Sequence, residues 1–182
     1  LVATRTLRSS LLEKIANEIS NVKLGKPAGI QLKLNSLLDE DFVSALYEAS
    51  QAGVKVDLVV RGICALKSGI PNLSENIRVR SILGRFLEHS RIYHFTNGGD
   101  DEYWIGSADL MHRNLDRRVE SLVRIERLAH KLSLQEIFNL SLSDEITSWR
   151  QEQGIWTRVF LNEAGEPLQD LQSIYIKRYK RN

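Results

Sequence analysis

The chain has 182 residues, 42% of them hydrophobic, with 25 Lys and Arg against 23 Asp and Glu. That length supports one domain with a real core, and a net charge of +2 excludes the global basic field of an unspecific nucleic-acid binder. No uncharged apolar run approaches the roughly 20 residues of a membrane span, and LVATRTLRSS lacks the apolar centre of a secretion signal. A cytoplasmic location is therefore expected, with peripheral membrane contact left open. Cys64 has no partner for an internal disulfide and reads as a small buried hydrophobe.

In chain order, Leu7, Leu11, Leu12, Ile15 and Ile19 recur at spacings of three and four, which predicts an amphipathic helix over 4–22 that Gly25-Lys26-Pro27 ends. GIQLKLN (29–35) alternates as a half-buried strand. Asp39 caps a helix that stops at Gly53, and KVDLVV (55–60) is the next strand. Strand, helix and strand within about 32 residues make a βαβ unit with parallel neighbours. Further strands are expected at 77–83, 91–95, 102–107 and 117–126, the second and third of these joined by the hairpin signal TNGGDD. Helices are expected across 134–140, from Ser143 into Arg150, and over 168–179, with the basic end IKRYKRN as a solvated tail. The fold class is α/β, a mixed β-sheet flanked by helices, with 1–182 as a single domain.

Three places could carry chemistry. Arg61 follows an apolar strand and precedes Gly62, which puts a guanidinium at the rim of the sheet, where ligands of such sheets gather. His89 lies between Glu88 and Ser90-Arg91; a hydrogen-bonded surface histidine is the plain alternative to a catalytic one. The run GSADLMHRNLDRR (106–118) brings Ser107, Asp109, Arg113, Asn114, Arg117 and Arg118 together. With Arg78, Arg80, Arg85 and Arg91, arginine is selected throughout 78–118 and lysine is absent, which suits planar, bidentate contact with phosphate or carboxylate. Interleaved acids (Glu88, Asp100, Asp101, Glu102, Asp109, Asp116) could pair with much of this cluster. His94 and His112 read as structural, and His89, His94 and His112 have no familiar zinc-ligand spacing. There is no Gly-rich phosphate loop of the G-x-x-x-x-G-K-[ST] type, so nucleotide phosphates would have to be held by side chains.

The run VVRGICALKSGIPNLSENIRVRSILGRFLEHSRIYHF, followed by YWIGSADLMHRNLDRRVE and preceded by KPAGIQLKLNSLLDEDFVSALYEASQAGV, resembles the carboxyl-terminal catalytic domain of bacterial polyphosphate kinases over nearly the whole chain. The resemblance implies a domain like half of a phospholipase D fold. Its pattern of His-x-Lys, an Asp after four intervening residues and Gly-Ser-x-Asn appears here as His89-Ser90-Arg91, Thr96 and Gly106-Ser107-Ala108-Asp109. Arginine replaces the lysine and aspartate replaces the asparagine, departures that speak against a free-standing phosphodiesterase.

The resemblance also implies reversible transfer of the terminal phosphate of ATP to polyphosphate through a phosphohistidine. His89 would be catalytic, as acid, base or transition-state stabiliser, and would bind phosphate together with Arg61; Arg91, Ser107, Asp109, Arg113 and Asn114 would support them. Implied partners are ATP or ADP, polyphosphate and a preceding catalytic domain that carries the phosphorylated histidine, in a full-length enzyme expected to be a homo-oligomer. No nucleic-acid partner is implied. Mg²⁺ would accompany ATP, with no protein ligand for it identifiable in this sequence. A chain that does not begin with Met is expected to be a piece of such an enzyme, inactive alone. A homodimeric phospholipase D-like phosphodiesterase and a non-catalytic polyanion-binding module are the alternatives.

Overall fold

The structure is a computed structural model that describes residues 1–180. The chain runs α1 (Leu7–Lys23), β1 (Gly29–Leu34), α2 (Glu40–Gln51), β2 (Lys55–Val60), β3 (Ile77–Ser81), β4 (Ile92–Phe95), β5 (Glu102–Gly106), β6 (Leu122–Ile125), α3 (Leu128–Ser141), β7 (Ser148–Glu152), β8 (Ile155–Val159) and α4 (Leu171–Tyr179). The strands form an eight-stranded sheet in the order β6-β5-β4-β1-β2-β3-β7-β8. Strands β1, β2 and β3 are parallel, and every other pairing is antiparallel.

The two faces of the sheet differ, and the alternation of β1 and β2 explains why. Ile30, Leu32, Leu34, Val56, Leu58 and Val60 join Leu7, Leu11 and Ile15 of α1 and Phe42, Leu46 and Ala49 of α2 in the main core. Each of these side chains larger than alanine contributes about 1.5–3 kcal/mol relative to exposure. The intervening residues, among them Lys33, Val59 and Arg61, face the opposite way. There a smaller cluster of Val59, Ile82, Ile146 and Leu171 receives the end of α3 and one side of α4. Asp39 caps α2 as expected, accepting from the Phe42 amide, while its other contacts bind the Arg8 guanidinium at 2.7 and 2.8 Å.

The βαβ unit and the β4–β5 hairpin match the sequence reading. Three elements do not. The strand expected over 117–126 starts only at Leu122, because Arg113–Arg117 wind into a single π-helical turn. The α3 helix begins at Leu128, six residues before the expected start. The helix expected from Ser143 into Arg150 is replaced by β7, which pairs with β3 and turns through Gln153 and Gly154, both at positive φ, into β8. Trp149, Ile155 and Trp156 suit strands, and pairing with the open edge of β3 overrides a weak local helix preference. Of the expected basic tail, Ile176–Tyr179 complete α4 and Arg181 and Asn182 lie outside the described residues.

Candidate active site

The carboxyl ends of β1, β2 and β5 and the start of β4 meet at one edge of the sheet, since β4 runs antiparallel to both β1 and β5. The loops beyond these strands are laced together: Leu37 N donates to the Ile63 carbonyl at 2.9 Å, and Leu38 N to that of Leu110 at 2.9 Å. On this rigid floor Asp109, only 4% exposed, accepts from the Asn35 amide at 2.7 Å and the Ser36 amide at 3.3 Å. Arg91 closes on the same carboxylate with both Nε (3.3 Å) and Nη2 (2.9 Å), while its Nη1 donates to the His89 carbonyl at 2.9 Å.

Arg61 is fixed from the other side. Its Nε donates to Asn35 Oδ1 at 2.8 Å, and its carbonyl accepts from Ser81 Oγ at 3.0 Å. The two terminal nitrogens of this guanidinium have no hydrogen-bond partner among the described residues. Gly62 is required for a reason other than ligand approach: a methyl group there would lie 2.9 Å from the Asn35 carbonyl. Contacts thus run unbroken from Arg61 through Asn35, Asp109 and Arg91 to His89.

The imidazole of His89 is exposed, and no hydrogen bond engages it among the described residues. Its neighbour Glu88 is held by Lys33 Nζ at 2.7 Å and Ser90 Oγ at 2.7 Å. Burial alone would raise the Glu88 carboxyl, but Lys33, Ser90 and Arg61 together hold it below the usual carboxylate range. Lys33 is only 5% exposed and Glu88 half-buried, so the ion pair is less screened than one wholly on the surface.

Of the residues singled out in the sequence, Arg61, His89, Arg91 and Asp109 come together here. Ser107 stays at the end of β5, where its Oγ accepts from the Ser121 amide at 3.4 Å. Arg113 is exposed on the π-helical turn, and Asn114 is buried beside Glu120, to which it donates at 2.7 Å. Among the described residues, no hydrogen bond or ion pair joins these last two side chains to the Arg91–Asp109 cluster. Thr96 sits at the far end of β4, with its amide on the Gly29 carbonyl at 3.0 Å, so the position of the superfamily aspartate lies at the opposite edge of the sheet. Sequence reasoning missed Asn35 and Lys33. Their signal was there: polar residues in a central strand covered on both faces need buried partners.

Of the remaining arginines in 78–118, two pair with acids distant in sequence. Arg78 meets Asp57 and Arg80 meets Asp144, each at 2.7 Å. His94 is buried against Asp101 and stacked on Tyr103 with ring centroids 4.4 Å apart. His112 belongs to a separate group with Asp39 and Asp116, the one cluster among the described residues with metal-ligand spacing. That group already holds the Arg8 guanidinium at 2.6–2.8 Å, which does not suit a cation. At the sheet edge, Glu88 and Asp109 are likewise occupied by Lys33 and Arg91. The residues present therefore do not fit a protein-held Mg²⁺.

This fold is that of the phospholipase D-like α/β domains: the Nuc protein of Salmonella typhimurium, a phospholipase D family member, superposes with a TM-score of 0.55 at 17% identity over 87% of this chain and 97% of its own. Within that class the match is narrower. The sequence profile of the family described as "Polyphosphate kinase C-terminal domain 2" covers residues 1–167, and the chain belongs to that family. Polyphosphate kinase of Streptomyces coelicolor is 52% identical over 182 residues, all of this chain and 24% of that protein. Polyphosphate kinase of Pseudomonas aeruginosa is 51% identical over 149 residues, 82% of this chain and 22% of that protein. The crystal structure of polyphosphate kinase from Porphyromonas gingivalis superposes with a TM-score of 0.89 at 37% identity, covering all of this chain and 28% of the other. The chain spans about a quarter of the length of these relatives.

Proposed function

We propose that the chain is one catalytic domain of a polyphosphate kinase that moves the terminal phosphate of ATP reversibly onto polyphosphate. The observation that carries this reading is the half-anchored Arg61 guanidinium, fixed at Nε by Asn35 and open at both terminal nitrogens, on the same contact network as an unengaged His89. A phosphoryl group in flight needs positive charge around its equatorial oxygens and little covalent help. Arg61 supplies a planar fork for two of those oxygens. His89 offers an imidazole, a group that can act as proton donor or acceptor, to support the transfer in either direction.

In this reading a histidine of the preceding domain attacks the γ-phosphorus, ADP leaves, and the terminal oxygen of polyphosphate then takes the phosphoryl group. Mg²⁺ belongs to the nucleotide's phosphates rather than to this domain. The isolated chain, with one of the two histidines, makes no polyphosphate. The decisive experiment is made in the full-length parent enzyme. His89→Ala should reduce turnover about 10²-fold or more, the scale of a lost proton-transfer group, and Arg61→Lys about tenfold or more through loss of the fork. Melting temperatures should stay within a few degrees of the parent. Near-normal turnover in His89→Ala would remove His89 from the site, and Lys performing as well as Arg at 61 would reduce that residue to a general charge.

A further inference from the structure

The segment that carries His89, between β3 and β4, contains no helix or strand, yet it is pinned at several points. Phe86 N donates to Gln172 Oε1 at 2.8 Å, and the Phe86 carbonyl accepts from Gln172 Nε2 at 2.8 Å. One primary amide thus satisfies both backbone groups of a loop residue, as a neighbouring strand would. A methyl group on Gly84 would lie 2.2–2.6 Å from that amide, so the loop is shaped around it. Two residues on, Glu88 is held by Lys33 and Ser90, and the His89 carbonyl by Arg91.

Gln172 is itself well anchored. It follows Leu171, which is buried in the second core, in the first turn of α4, where Asp170 accepts from the Ser173 amide at 2.7 Å. It also lies beyond residue 167, where the family profile ends. We propose that Gln172 is a positioning residue for the transfer reaction: its amide fixes the backbone of the loop at Phe86, so that the His89 imidazole meets the phosphoryl group in a set orientation. The inference rests on the role given to His89 above. Because Arg61 is anchored separately by Asn35 and Ser81, loss of the Gln172 clamp should leave nucleotide binding intact and slow the chemical step. Misplacing a reacting group by about 1 Å can cost up to about 10²-fold in rate.

The test uses four variants of the full-length parent enzyme: Gln172→Ala, Gln172→Glu, His89→Ala and the double variant His89→Ala/Gln172→Ala. Gln172→Ala should lower kcat about tenfold with KM for ATP within about twofold and little change in Tm. Gln172→Glu, which can accept from Phe86 N but cannot donate to the Phe86 carbonyl, should fall between. In the His89→Ala background, removing Gln172 should cost nothing further, since the group it positions is gone. Full additivity in the double variant, normal kcat in Gln172→Ala, or a loss that follows only the folded fraction would each overturn the proposal. If His89→Ala alone keeps near-normal turnover, the reading of His89 fails first; if that variant is crippled and Gln172→Ala is silent, only the positioning role fails.

Discussion

The Arg91–Asp109 pair joins two of the three positions at which this chain departs from the phospholipase D pattern (the third is Thr96), lysine to arginine and asparagine to aspartate. The structure makes each the partner of the other. Asp109 is 6% and Arg91 16% exposed at the side chain, with two guanidinium nitrogens on one carboxylate. Arg91→Ala leaves a buried carboxylate with only two backbone amides, and breaking such a pair costs about 3–5 kcal/mol. Those two remaining donors place this case near the lower figure, about 3 kcal/mol, a fall in Tm of about 6–12 °C for a domain of this size. Asp109→Ala should cost as much, because the Asn35 and Ser36 amides lose their acceptor as well. The double variant should lose less than the sum, with a coupling of about 1.5–3 kcal/mol. Urea unfolding of the four proteins, followed by circular dichroism at neutral pH, gives the coupling directly. Losses that simply add, to within about 0.5 kcal/mol, would show that the two side chains do not depend on each other.

Two other outcomes follow from packing and protonation. A methyl group at Gly106 would stand 1.9 Å from the Ser121 carbonyl oxygen and 2.7 Å from Leu122, so Gly106→Ala must force β5 and β6 apart. Overpacking costs about 1–3 kcal/mol, and a contact this close to backbone belongs at the upper end; a variant that melts with the parent would contradict its tightness. Burial holds the His94 imidazole below its ordinary pKa, with Asp101 opposing in part. The unfolded chain then takes up the proton first as pH falls, so this residue's contribution is complete above about pH 6.5 and declines through and below that value. His94→Gln should flatten the dependence of Tm on pH between about 8 and 5, and equal slopes in the two proteins would refute the assignment.

Much of this was legible in the sequence, for identifiable reasons. The helical period of Leu7, Leu11 and Ile15 and the alternation of 29–35 are set by burial on one face, and they placed α1 and the βαβ unit correctly. Position, rather than residue type, marked Arg61 as a rim residue. What the sequence did not yield depends on contacts between distant segments. Asn35, Lys33 and Gln172 are ordinary polar residues until Arg61, Glu88 and Phe86, respectively, are brought against them, 26, 55 and 86 residues away along the chain. The helix expected after Ser143 failed similarly: pairing with the free edge of β3 on one side and with β8 on the other makes 148–152 a strand. Arg113 and Asn114 were grouped with Asp109 by closeness in sequence, and the π-helical turn carries them away from it.

Strand β1 has a double use that constrains how this domain can vary. Ile30, Leu32 and Leu34 belong to the main core, while Lys33 and Asn35 of the alternate set reach Glu88 and Arg61. Inserting or deleting one residue in this segment would exchange the two sets, driving an ammonium into the apolar layer and turning leucines toward the face that carries Glu88 and Arg61. A change of length here would disturb both faces of the sheet at once. A library meant to retune the site should therefore keep the spacing from Gly29 to Asp39 fixed and leave Lys33 and Asn35 in place.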